Sequence, residues 1–232
     1  GVLILAAGES VNINHLIMDG GNGVFNGFSY RGAYTINKAQ FTILNSVFRN
    51  NLSEDTLNIV QSQGKIENSI ILNSRSDGLD IDFGEVTIKD SKFINIGSQT
   101  GADAIDMSGS DVKILDCSVE NTTDKGISIG EGSYAEISGL NINVALVGVV
   151  TKDSSRVTAD KMFFRDIQFA DTMTYRKKEH YSGGILNLKK IDSTLNNHIV
   201  QDNSVAFVDD KRQETVNINI DALYADMMKS VK

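Results

Sequence analysis

The sequence predicts an all-β fold, a right-handed parallel β-helix solenoid with coils of about 22 residues. Three observations carry the prediction. An apolar anchor recurs at Ile43, Ile66, Ile88, Ile114, Ile137 and Ala159, with intervals of 23, 22, 26, 23 and 22 residues. A second recurs at Leu57, Leu79, Ile105, Ile127 and Val149, at 22, 26, 22 and 22. In phase with both run two Asn/Asp columns, one at Asn45, Asn68, Asp90 and Asp116, the other at Asn50, Asn73, Asn95 and Asn121. Apolar residues at spacing two fill one face of a short strand. One coil cannot bury that face alone, so neighbouring coils must stack. Asn at a fixed turn tolerates the left-handed conformation and can bond to its copies above and below. A period near 22 excludes a coiled coil.

The elements follow in order. The chain opens on Gly1-Val2-Leu3-Ile4-Leu5, a strand already under way, which suggests part of a longer protein. Residues 1–232 read as a single domain whose clear repeats span about 11–169. A Gly- and aromatic-rich insertion holds Gly20, Gly21, Gly23, Phe25, Phe28, Tyr30 and Tyr34, which could stack on sugars or simply pack under a loop. The lengthened step from Phe93 to Ile105 marks a loop at Gly97 to Ala102. Another loop, Asp171 to Gly184, holds Tyr175, Arg176, Lys177, His180 and Tyr181, which could clamp an acidic ligand. Less regular coils are expected over 185–220. Leu223, Met227 and Met228 lie at helical spacing, so a short helix over 221–232 is expected to cap the open last coil. Cys117 replaces Ser in an inward column and reads as a buried thiol, while His15 and His198 read as ladder-turn residues.

Composition narrows the function. The chain has no Pro, as suits paired strands, and a net charge of −8. Nucleic acid is therefore a poor partner, because phosphate contacts need clustered Lys and Arg. No apolar run reaches membrane-spanning length, and one Cys precludes an internal disulfide framework.

The repeat resembles the parallel β-helix superfamily of pectate and pectin lyases and polygalacturonases, over roughly Val11 to Phe169. The resemblance implies three strands per coil, with Asn45, Asn68, Asp90 and Asp116 at the turn between the second and third. The strand through Leu57, Leu79, Ile105, Ile127 and Val149 is then the first, whose outer face forms that family's substrate groove. Arg75-Ser76-Asp77-Gly78-Leu79-Asp80-Ile81 resembles the polygalacturonase Asn-Thr-Asp-Gly stretch. Asp124-Lys125-Gly126-Ile127-Ser128 resembles its Gly-His-Gly stretch, with Lys125 in place of the His. The paired-Asp and Arg-Ile-Lys motifs are absent, and no Arg stands on the first strand's outer face to act as a lyase base; Lys152 is the nearest substitute.

The candidate residues stand on that face: Asn58, Asp80, Asp106 and Ser128 one residue after the anchor, and Asp82, Ser108, Gly130 and Lys152 three after. Asp55, Asp77, Asp103 and Lys125 stand two before. Carboxylates a strand spacing apart must bind a cation, share a proton or stay solvated. Calcium suits clustered oxygen ligands, so a calcium site at Asp77, Asp80, Asp103 and Asp106 is one expectation. Acid–base work on a glycosidic bond by Asp80, Asp82 and Asp106, with Lys125 and Lys152 meeting a uronate or a developing anion, is another. A solvated acidic face without chemistry is the third. The sequence thus supports two functions. One is an extracellular or cell-surface domain that binds or processes a polysaccharide in a groove walled by the loops at 97–102 and 171–184. The other is a non-catalytic spacer or adhesin whose solenoid is itself the function.

Overall fold

A computed structural model describes residues 1–6, 9–25, 29–97, 101–220 and 222–224. Within them the chain winds through three parallel sheets. The first-strand sheet stacks Val2–Leu5, Gly32–Asn37, Asp55–Val60, Asp77–Asp82, Ile105–Ser108 and Lys125–Gly130. The second stacks Ser10–Asn14, Gln40–Leu44, Gln63–Glu67, Glu85–Lys89 and Asp111–Leu115. The third stacks Ile17–Asp19, Val47–Arg49, Ile70–Ser74, Lys92–Ile96 and Ser118–Thr122.

Registers match the anchors. Ile43, Ile66, Ile88, Ile114, Ile137, Ala159 and Leu188 are aligned strand to strand. So are Leu57, Leu79, Ile105, Ile127 and Val149. These side chains are buried and form one continuous core. The fit is steric as well as apolar: a Cβ at Gly64 would stand 2.7 Å from the Phe41 ring, so glycine admits the aromatic of the coil before it.

The turns bend at fixed points. His15, Asn45, Asn68, Asp90 and Asp116 all have positive φ, as do Asn50, Asn73, Asn95 and Asn121. Their amides form ladders, Asn68 to Asn45 at 2.7 Å and Asn73 to Asn50 at 3.0 Å. The bends persist where the ladder residues end. Gly139, Val144, Lys161 and Asp166 keep positive φ inside two long strands, Tyr134–Lys152 and Arg156–Tyr175, each of which traverses second, third and first positions. Hydroxyl columns tie the corners: Ser69 Oγ accepts from Ser46 N, and Ser62 Oγ from Ala39 N.

Val2–Leu5 pairs as a strand, and Ile185–Ser193 and Val205–Val208 continue the second sheet, as read for the start of the chain and for the less regular coils of 185–220. Two expectations change. His198 is no turn residue. It pairs in register with Thr172 and bonds through Nδ1 to that hydroxyl at 2.9 Å, while Asn196 takes the left-handed turn. The C-terminal helix has an Asn219 cap, whose Oδ1 accepts from Ala222 N at 3.0 Å. Its described part lies against the outer face of the first-strand sheet rather than across the open end. Leu223 and Tyr224 join a second apolar cluster of Val147, Val150, Met173 and Tyr175. The reason is compositional: outward positions of the late coils are apolar and need cover. Met227 and Met228 lie outside the described residues, as does Phe28.

Candidate functional site on the first-strand face

Strand register assembles the predicted columns. Asn58, Asp80, Asp106 and Ser128 lie side by side on successive strands, as do Asp82, Ser108 and Gly130. Adjacent members are separated by about 4.8 Å, the inter-strand distance. Asp55 and Asp77 are likewise paired. The face therefore has an acidic middle (Asp55, Asp77, Asp80, Asp82, Asp106) followed by a basic end (Lys125, Lys152, Lys177).

The strand-start column is a relay. Asp77 Oδ1 accepts from Asp103 N at 2.9 Å, and Asp103 Oδ1 accepts from Lys125 N at 3.2 Å. Lys125 Nζ reaches Asp103 at 3.1 Å and also pairs with Asp124. All three side chains are at least nine-tenths buried. Burial alone would lower the Lys125 pKa, but Asp103 and Asp124 outweigh it and hold the ammonium well above its ordinary value. Tyr224 closes over it, its ring centroid 5.3 Å from Nζ, and its hydroxyl meets that of Tyr175 at 2.5 Å.

Asp80, at the centre of the acidic middle, has no ion-pair partner among the described residues. Asp80 receives one amide bond, from Asn58 Nδ2 at 3.0 Å. Burial, then the charges of Asp55, Asp82, Asp106 and Asp77, push its carboxyl up to about 9. Burial and the Asp103 charge push Asp77 to about 8, and burial with the neighbouring acids pushes Asp55 to about 7. Asp82 is raised too, chiefly by burial. Asp106 is raised by burial, but there the Lys152 charge pulls the other way. Lys152 reaches that point by lying across Gly130, where a Cβ would stand 2.7 Å from its Cε, and donating to Ser128 Oγ at 2.9 Å.

The predicted ligand loop divides. Lys177 approaches the site, its Nζ 5.7 Å from the Tyr224 ring centroid, and burial followed by Lys152 and Lys125 lowers its pKa. Tyr175 is a buried strand residue beneath Tyr224 rather than a loop clamp. His180 and Tyr181 stack on each other with centroids 4.5 Å apart, and Arg176 N donates to Gln201. Sequence reasoning passed over Asp124, Lys178 and Glu131. Glu131 accepts from Ser108 Oγ at 2.6 Å and pairs with Lys178. The one signal for Asp124 was its place beside Lys125.

Two of the four proposed calcium ligands are already engaged. Asp77 and Asp103 give oxygens to backbone N–H groups and Lys125. Among the described residues, no three acidic, His or Cys side chains converge to hold a metal ion. A cavity of about 570 Å³ lies off this face and follows the Asn50–Asn121 ladder. Of the loop predicted to wall the groove, residues 98–100 lie outside the described residues, and Gly97 lines that ladder cavity. Tyr34 is core, packed edge-on to Phe48 at 5.5 Å. Among the described residues, no helix is long and apolar enough to cross a membrane.

Comparison with known proteins adds the following. No curated protein sequence matches the chain. Among solved structures, the chain is similar to the catalytic domain of a GH87 alpha-1,3-glucanase variant in complex with tetrasaccharides, at 10% identity and a TM-score of 0.37. That likeness covers 94% of this chain and 61% of the glucanase chain, so the present chain spans less than two thirds of its neighbour. The family model described as "Right handed beta helix region" matches residues 31–206, in agreement with the coils and registers above, and the chain belongs to that right-handed β-helix family.

Proposed function

We propose that the first-strand face binds a polysaccharide and acts on it by acid–base chemistry, with Asp80 as the acid and Asp106 as the base or nucleophile. The observation that carries this reading is the unequal setting of two outward carboxyls on adjacent strands. Burial raises both carboxyls, but around Asp80 the neighbouring charges are all acids, whereas the Lys152 charge and the Ser128 hydroxyl oppose the rise at Asp106. Carboxyls whose environments separate their proton affinities are the working parts of glycoside hydrolysis. Asp82 lies two residues along from Asp80 to bond a substrate hydroxyl. Lys152 and Lys177 meet negative charge on a uronate, while Lys125 is committed to its own ion pairs. A polysaccharide substrate would place the domain outside the cell or at its surface.

The test is release of reducing ends from polygalacturonate and from neutral glucans, by the wild type, Asp80→Asn and Asp106→Asn. Loss of at least a hundredfold in each variant, with melting curves unchanged or raised, supports the assignment. Equal release by wild type and both variants, or none by any, rejects it. The spacer reading then stands, favoured by one observation: neither Asp80 nor Asp106 lines the cavities along the Asn50 ladder, beside Glu54 or beside Phe83.

A further inference from the structure

We infer that the cleft along the second Asn ladder is a binding site for an uncharged glycan strand laid parallel to the solenoid axis. Asn50, Asn73, Asn95 and Asn121 line a cavity of about 570 Å³ across four coils. The amides are joined head to tail: Asn121 donates to Asn95 at 2.9 Å, Asn95 to Asn73 at 3.2 Å, Asn73 to Asn50 at 3.0 Å, and Asn50 to Asp19 at 2.7 Å. A primary amide carries two N–H donors and an oxygen with two lone pairs. The ladder takes one of each, so every coil offers a further donor and acceptor at the inter-strand repeat of about 4.8 Å. A chain of hydroxyl-bearing rings asks for such a periodic donor–acceptor row.

The ladder alone does not make the site. The other ladder, through Asn45 and Asn68, is built the same way but lines none of the cavities described. Here Leu52 and Arg75 also line the cavity, and Leu52 is 60% exposed, an apolar surface for the C–H face of a sugar. A neighbouring cavity of about 440 Å³ shares Leu52 and Arg75 and runs on to Glu54 and Ser76, which directly precede Asp55 and Asp77. The lining is amide, hydroxyl and aliphatic, and its one charged side chain, Arg75, already donates through Nη1 to Leu52 O at 3.1 Å, so recognition falls to the neutral amide row.

Titration calorimetry with maltotetraose, cellotetraose and tetragalacturonate tests this on the wild type, Leu52→Asp and Asp80→Asn. Leu52 is exposed, so its variant folds, as a melting curve verifies. The expected result is saturable binding of a neutral tetrasaccharide, weakened about tenfold by Leu52→Asp. Binding untouched by Leu52→Asp, a preference for tetragalacturonate, or no binding of either neutral sugar overturns the inference. It does not depend on the acid–base reading of the first-strand face. Sensitivity to Asp80→Asn alone would reject this cleft and leave that reading in place.

Discussion

Replacing Asp80 by Asn should stabilise the protein, and by an amount that depends on pH. The Asp80 carboxyl is raised from 3.8 to about 9, first by burial and then by four neighbouring acids. A raised carboxyl means that the folded state holds a proton the unfolded chain releases. Between those two values stability therefore falls as pH rises, by up to about 1.4 kcal/mol per pH unit for this one group. From 3.8 to pH 7 the ceiling is about 4 kcal/mol for a dry site. Asp80 is partly exposed and Asn58 already donates to it, so water and relaxation reduce this to roughly 1–3 kcal/mol. Asparagine keeps the shape, can still bond Asn58 and removes the charge. Urea unfolding of wild type and Asp80→Asn at pH 4, 7 and 9 measures the difference. At pH 4, close to the unfolded value of 3.8, the two proteins should differ by well under about 1 kcal/mol. At pH 7 the variant should be more stable by about 1–3 kcal/mol, or several degrees in melting temperature. The wild type should weaken from about pH 4 upward, with the slope easing as Asp55, Asp77 and Asp80 ionise in turn at about 7, 8 and 9. A variant equally destabilised at all three pH values would refute the reasoning, as would a wild type that grows more stable from pH 5 to 9.

Lys125→Met should destabilise by about 3–5 kcal/mol, because Asp103 and Asp124 remain buried without their cation; adding Asp103→Asn should restore part of the loss in the same urea assay. Val144→Asn should stabilise by about 1 kcal/mol, since a β-branched residue at φ 61 is strained where Asn is at ease, and an unchanged or lower urea midpoint would count against strain at this bend. Thermal melting in calcium and in EDTA should coincide, because the first-strand carboxylates engage backbone, amide and ammonium groups rather than one another's cation; a calcium-dependent rise abolished by Asp80→Asn and Asp106→Asn together would reinstate a metal site.

The solenoid was legible in the sequence because each coil repeats the same local demands. Ile43, Ile66 and Ile88 recur at one interval, and a side chain at a given strand position always faces the same way. The Asn ladders were legible because few residues accept positive φ, and the columns that set Asp80 beside Asp106 followed from the register. What neighbours do at a distance was not legible. Nothing local says that Tyr224 returns to cover Lys125, a contact joining residues far apart in the chain. The hydroxyl column through Ser62 was missed because Ser is common at any turn, and its bonds appear only when the coils stack. Val144 in a left-handed bend contradicts its own preference and is held there by the coils on either side. The same division explains the charges. Sequence placed the acids and lysines in columns. Tertiary packing decided that Lys125 would be spent on Asp103 and Asp124 while Asp80 was left to keep its proton, because burial and distance, not residue type, set the energy of a charge.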